Sequence, residues 1–149
     1  MARILILDDN LRVLDEMEKH IRKRNPKHTV VPCRDCSTAI CELDTTGAMP
    51  FDFYILDLNV NTIGLTDDQA AKTQNGLRTG WVFLVEELLK RDKEALKKTV
   101  FFSGWLTQLE AYVASDDARD NEKALHAQLK SNKRLVSKTS RYNSLDAFL

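Results

Sequence analysis

No stretch of the chain approaches the ~20 consecutive apolar residues that a membrane-spanning helix needs. The opening run "ILIL" is too short for a signal-peptide core, and Asp8 and Asp9 follow it at once. These absences predict a cytoplasmic protein. Cysteine is scarce, and three residues, an odd number, make no disulfide framework. Cys33, Cys36 and Cys41 cluster as C-x2-C-x4-C with His28 nearby. Three thiols are few for a metal or redox site, and the last two fall within a predicted helix. They read as structural or free thiols.

Net charge is also absent: 22 Lys plus Arg balance 22 Asp plus Glu. That gives no support to a chain that grips nucleic acid by charge alone. A basic tract (Lys130, Lys133, Arg134, Lys138, Arg141) follows an acidic one (Asp116, Asp117, Asp120, Glu122), and the two read as solvated faces. No G-x-G-x-x-G follows the first apolar run, which argues against a dinucleotide site. His20, His28 and His126 share no evident place, so histidine-based catalysis has little support. No repeat, low-complexity tract or linker divides the 149 residues. One domain spanning 1–149 is expected, burying about 68–70% of its unfolded surface.

What the chain does contain is order. Ile4–Leu7, Phe53–Leu56, Val100–Phe102 and Leu135–Val136 are continuous apolar runs, and Thr29–Val31 is β-branched. Continuous rather than alternating runs predict parallel strands covered on both faces. Helical stripes lie between them. Leu11, Leu14, Met17 and Ile21 follow Asn10 as N-cap. Ala39, Ile40 and Leu43 follow Asp35, and Trp81, Leu84, Val85, Leu88 and Leu89 make the strongest stripe. Leu106, Leu109 and Val113 form a fourth, continued or followed by Ala124, Leu125 and Leu129. Leu145, Phe148 and Leu149 predict a short last helix. A β-α unit repeated five times predicts an α/β doubly wound sheet. Two connections, 58–75 and 115–132, are unusually long, and residues 115–132 carry a partly helical pattern.

In such a sheet, ligands bind beyond the carboxyl ends of the strands. The residues there are Asp8 and Asp9, Asp57, Ser103 and Lys138. Clustered carboxylates repel one another and favour a hard divalent cation such as Mg2+. A carboxylate can also act as a nucleophile toward phosphorus, with cations and hydrogen bonds answering the developing charge. Each residue alone has a bland reading: Asp8 or Asp9 as a helix cap, Asp57 as a turn residue, Lys138 as a surface lysine.

An acidic pair after strand one, a lone Asp after strand three, Ser after strand four and Lys after strand five together resemble a response-regulator receiver domain. This is the phosphoacceptor module of two-component signalling, and the resemblance spans essentially the whole chain. It implies a single flavodoxin-like (βα)5 sheet, as in the chemotaxis regulator, with strand order 2-1-3-4-5. It implies Asp57 as phosphoacceptor. It implies Mg2+ held by Asp9, Asp57 and the backbone carbonyl of Asn59, with Asp8 acting through a water. Lys138, Ser103 and Gly104 would bind the phosphoryl group and serve the switch. Trp105 would influence how water reaches that group, or would simply pack. The implied partners are a sensor histidine kinase or histidine phosphotransfer protein and an effector domain or output protein. No membrane or direct nucleic-acid contact is implied. The domain would either stand alone or head a longer regulator, and a homodimer through the fourth helix, fifth strand and fifth helix is left open.

The chain departs from the family pattern. Thr139 stands where proline usually follows the lysine after a cis peptide, and Leu135 replaces a switch aromatic. Both long connections exceed the family's usual length, and the first could act as a lid or docking surface. A degenerate receiver working as a phosphorylation-independent interaction domain is therefore an alternative. A haloacid-dehalogenase-like phosphatase is a weaker one, because Asn59 occupies the position of its second acid. The expectation is a signalling domain rather than an enzyme.

Overall fold

Apolar runs with no alternation become strands when helices cover both faces, and that is what surrounds these five. The computed structural model describes residues 1–149 apart from Thr46 and Ala48. Strands β1 (Arg3–Leu7), β2 (Thr29–Cys33), β3 (Phe53–Leu56), β4 (Thr99–Ser103) and β5 (Leu135–Ser137) form one sheet in the order β2-β1-β3-β4-β5. Every neighbouring pair is parallel. β2 extends past the expected Thr29–Val31 to take in Pro32, whose missing N–H an edge strand tolerates.

Side chains divide between two cores by strand alternation. Leu5, Leu7, Tyr54, Leu56 and Phe101 join one. Ile4, Ile6, Ile55, Val100 and Phe102 join the other. Burying each such side chain is worth roughly 1.5–3 kcal/mol. The second core rests on α1 (Leu11–Arg24), through Leu14, Met17 and Ile21. Asn10 caps α1, its side chain accepting from the N–H groups of Arg12 and Val13. Leu11, expected in the buried stripe, is exposed beside Pro32 and Arg34.

The first core rests on α2 (Cys36–Asp44), α4 (79–91), α6 (Leu106–Ala114) and α7 (Asp120–Ser131). Two short helices, α3 (Asp67–Ala71) and α5 (Ala95–Lys98), fill connections. α3 lies inside the first long connection, opened by a reciprocal Thr66–Gln69 cap. The other long connection becomes the separate helix α7. Within its acidic tract, Asp116, Asp117 and Asp120 are exposed as expected, but Glu122 is buried. The Trp81 indole N–H (3.0 Å), the Tyr112 hydroxyl (3.1 Å) and the Arg119 backbone N–H (2.9 Å) all donate to its carboxylate. Burial alone would raise the Glu122 pKa. Those bonds outweigh it and hold the group below its ordinary value. The expected last helix is a 3-10 turn, Tyr142–Leu145. Asn143 and Ser144 are weak helix formers, and the Ser144 hydroxyl donates to the Arg141 carbonyl instead.

Cys33 and Cys36 are buried free thiols, each pushed up to about 12 first by desolvation, and Cys41 is exposed. The histidines sit apart: His20 on Asp146, His28 accepting from the Ala2 N–H, His126 edge-on to Trp81.

α4 begins and ends as α-helix but is a π-helix over Phe83–Leu88. Its second residue, Gly80, lies against β3's exit: a Cβ there would stand 1.9 Å from the carbonyl oxygen of Asp57. Its N–H donates to the Leu58 carbonyl at 3.0 Å. Gly80→Ala should therefore force helix and strand end apart and cost about 1–3 kcal/mol of stability. Urea unfolding checks this. An unchanged midpoint would mean that α4 yields freely at that contact.

Candidate functional site at the carboxyl edge of the sheet

The parallel topology carries β1, β3, β4 and the turn after β5 to one edge. Three of the expected residues meet there directly. The Lys138 Nζ lies 2.6 Å from Asp8 Oδ2 and 2.7 Å from Asp57 Oδ2. Both carboxylates are buried, Asp8 at 1% exposure and Asp57 at 5%. The Asn10 N–H donates to Asp8 Oδ1 at 2.9 Å, fixing the other oxygen toward the ammonium.

These contacts leave a charge imbalance. Burial raises the Asp8 pKa, the Lys138 ammonium opposes the rise, and the nearby Asp57 charge adds to it. For Lys138 burial pulls downward, but its two carboxylate partners outweigh that and raise its pKa. Among the described residues, Asp57 Oδ1 is buried with no hydrogen-bond partner. Two buried carboxylates thus share one ammonium, and one oxygen is left over.

Ser103 is fully buried at the end of β4. Its Oγ accepts from the Leu58 N–H at 3.4 Å and the Trp105 N–H at 3.2 Å. Its carbonyl accepts from the Lys138 N–H at 3.1 Å, which seats the lysine loop beside β4. Gly104 is exposed, with nothing within 4 Å of where a Cβ would stand. Trp105 and Leu135 are half-buried and pack against the first core. Among the described residues no peptide bond is cis, so the Lys138–Thr139 peptide is trans.

Asp9 is placed differently from Asp8. It is exposed, and its Oδ2 accepts from the Asn61 N–H at 3.0 Å. Asn59 is half-buried on the same loop. The first long connection is therefore fastened beside the acidic pair. It is fastened again at α2, where the Ser37 N–H donates to the Ile63 carbonyl at 3.2 Å. Gly64, at φ +98°, presses so close to Ser37 that a Cβ would sit 2.2 Å from its nitrogen.

The donor set suits a hard cation on chemical grounds. The leftover Asp57 oxygen is buried near a second carboxylate, that of Asp8, and carboxylates are ligands that Mg2+ accepts together with waters. Among the described residues no group of three or more His, Cys, Asp and Glu side chains forms a metal cluster. Any cation there would rest on a pair of carboxylates plus backbone oxygen. Sequence reasoning missed Gly80 and Asn61. The glycine at the head of the strongest helical stripe was a readable signal. Asn61, within a long loop, offered none.

No family model matches the sequence, and no curated protein matches it. Solved structures do. The bacteriophytochrome response regulator AtBRR aligns with 99% of this chain and 89% of its own, at TM-score 0.59 and 17% identity. A CheY-like response regulator receiver domain protein from Methanospirillum hungatei JF-1 aligns over the same shares, at TM-score 0.59 and 13% identity. A Burkholderia pseudomallei response regulator, solved with a phosphorylated aspartic acid and a calcium ion, covers the whole chain with 66% of its own, at TM-score 0.57 and 16% identity. The chain thus has the fold of response-regulator receiver domains, a doubly wound parallel sheet in the order 2-1-3-4-5.

Proposed function

We propose that the chain is a receiver domain of two-component signalling whose Asp57 accepts a phosphoryl group from a phosphohistidine. The donor would be a sensor histidine kinase or a histidine phosphotransfer protein in the cytoplasm, and the product would switch contacts with an effector. The observation that carries this reading is the Asp57 carboxylate: one oxygen held by Lys138, the other buried and unpartnered among the described residues. An Asp57 oxygen attacks phosphorus, the P–N bond breaks, and the imidazole leaves with the electron pair. Asp57, Asp9 and the Asn59 carbonyl, with Asp8 acting through a water, would hold Mg2+, which would supply positive charge toward the phosphoryl oxygens.

The chain's own residues do the rest. Lys138 already lies on Asp57 and needs only a small displacement to pair with a phosphoryl oxygen. The Ser103 hydroxyl accepts two backbone N–H groups, which leaves its own proton free to donate to that group. The Gly104 backbone N–H adds a second donor. Trp105 borders this region and screens it from water. Leu135 has neither a ring nor a hydroxyl, so the usual aromatic switch is not the route of output. Asn59 leaves no acid two residues after Asp57, which favours a phosphoacceptor over a phosphatase.

A second reading, a phosphorylation-independent interaction domain, is favoured by the engagement of Asp9 with Asn61 and by the trans lysine loop. Incubation with Mg2+ and a small-molecule phosphodonor separates the two. One added phosphoryl group by intact mass, lost in Asp57→Ala, supports the phosphoacceptor. No adduct with any donor supports the interaction domain.

Asp9→Ala should weaken Mg2+ binding roughly tenfold or more, about 1.4 kcal/mol, by removing a direct ligand. Equal affinity in a titration would move the cation elsewhere. The raised Asp8 pKa gives a pH signature. The folded state holds that proton more tightly than the unfolded chain. Its stabilising effect is full below the ordinary aspartate range and is lost as pH rises through the raised value. Asp8→Asn should thus raise the urea midpoint at neutral pH, with the gain shrinking as pH falls through the raised value toward the ordinary aspartate range. A neutral-pH midpoint below that of the parent would show that the Lys138 contact outweighs burial.

A further inference from the structure

Helix α7 lies some sixty residues beyond Asp57 and the long connection that follows it, yet all three meet on helix α4. Its first turn touches the phosphoacceptor loop at Gly80, whose lack of a Cβ leaves room for the Asp57 carbonyl. The next residue, Trp81, is 1% exposed and gives its indole N–H to Glu122 of α7. Glu122 also takes the hydroxyl of Tyr112 from α6, and the Arg78 guanidinium stacks 4.0 Å over the Tyr112 ring. One buried carboxylate therefore binds the starts of α4 and α7 and the end of α6 together. The usual aromatic relay is absent here, since its position holds Leu135.

We infer that Trp81 and Glu122 form a relay that couples the state of the Asp57 loop to the inserted helix α7. A relay needs an element with freedom to move, and α4 contains one. Its C-terminal half is anchored: Gln69 donates to Glu87 at 2.7 Å, and Arg91 pairs with Asp44 at 2.7 Å. Its first turn is separated from the Arg91 anchor by the π-helical Phe83–Leu88, which carries Glu87 near its far end and whose wider i→i+5 winding absorbs a shift of the N-terminal end. Displacement of the Asp57–Leu58 carbonyls thus rotates Gly80 and Trp81 without dragging residues 89–91. The moving indole pulls on Glu122. Coupling of this kind is reciprocal, so α7 must also bias the Asp57 loop.

The relay deepens the phosphoacceptor reading but can be tested apart from it. In unphosphorylated protein, Gly80→Ala displaces the first turn, and backbone hydrogen exchange over residues 120–131 should quicken at least fivefold. The same change made in Trp81→Phe, which keeps a ring but loses the N–H, should leave that exchange at the level of Trp81→Phe alone. Glu122→Gln reads the reverse direction: exchange of the Leu58 and Gly80 amides should quicken severalfold while that of β1 stays unchanged. This second variant serves if Gly80→Ala does not fold. Unaltered exchange at α7 in folded Gly80→Ala, or at residues 58 and 80 in Glu122→Gln, overturns the relay. Failure to form a phosphoryl adduct would overturn the phosphoacceptor reading alone, because neither exchange measurement involves phosphate.

Discussion

Everything at the carboxyl edge depends on one ammonium serving two buried carboxylates. Lys138 sits between Asp8 and Asp57, within 2.7 Å of each. Removing charges from water is expensive unless each is answered, and here the answer is incomplete. One positive charge faces two negative ones in a pocket where screening is weak. Burial, with the nearby Asp57 charge adding to it, raises the Asp8 pKa, and among the described residues one Asp57 oxygen has no hydrogen-bond partner. A site that is electrostatically short of positive charge attracts a cation.

The rest of the fold can be understood as holding that imbalance steady. The three residues come from positions 8, 57 and 138, so only the parallel winding of the sheet brings them together. Backbone contacts then fix them. The Lys138 N–H is tied to the Ser103 carbonyl, the Leu58 N–H to the Ser103 hydroxyl, and the Gly80 N–H to the Leu58 carbonyl. Asp57 is thus joined to β4, the lysine loop and the head of α4 through main-chain groups and the Ser103 hydroxyl.

Much of this was readable in the sequence, for a definite reason. Strand runs in a two-sided sheet are continuous and apolar, and the chemistry sits at their ends, so Asp8, Asp57, Ser103 and Lys138 announce themselves by position. What escaped was set by tertiary contact. Glu122 belongs to a run of acids that is otherwise solvated, and only the approach of Trp81 and Tyr112 makes its burial tolerable. Leu11 has the spacing of a core residue, but it stands exposed beside Pro32 and Arg34. The π segment of α4 leaves no mark in a 3.6-residue periodicity, and the last apolar residues settle as a 3-10 turn because Asn143 and Ser144 prefer local bonds. The distinction between Asp8, buried on the ammonium, and Asp9, exposed on Asn61, is also invisible in two adjacent letters.

The edge strand β2 carries a consequence of another kind. An unpaired strand offers its free donors and acceptors to any passing chain. Pro32 falls inside this five-residue strand and removes one donor from the ladder, and its ring stiffens the backbone around the gap. A sixth strand adding at β2 would meet an interruption in its middle. Growth of the sheet by strand addition is thereby disfavoured on that side.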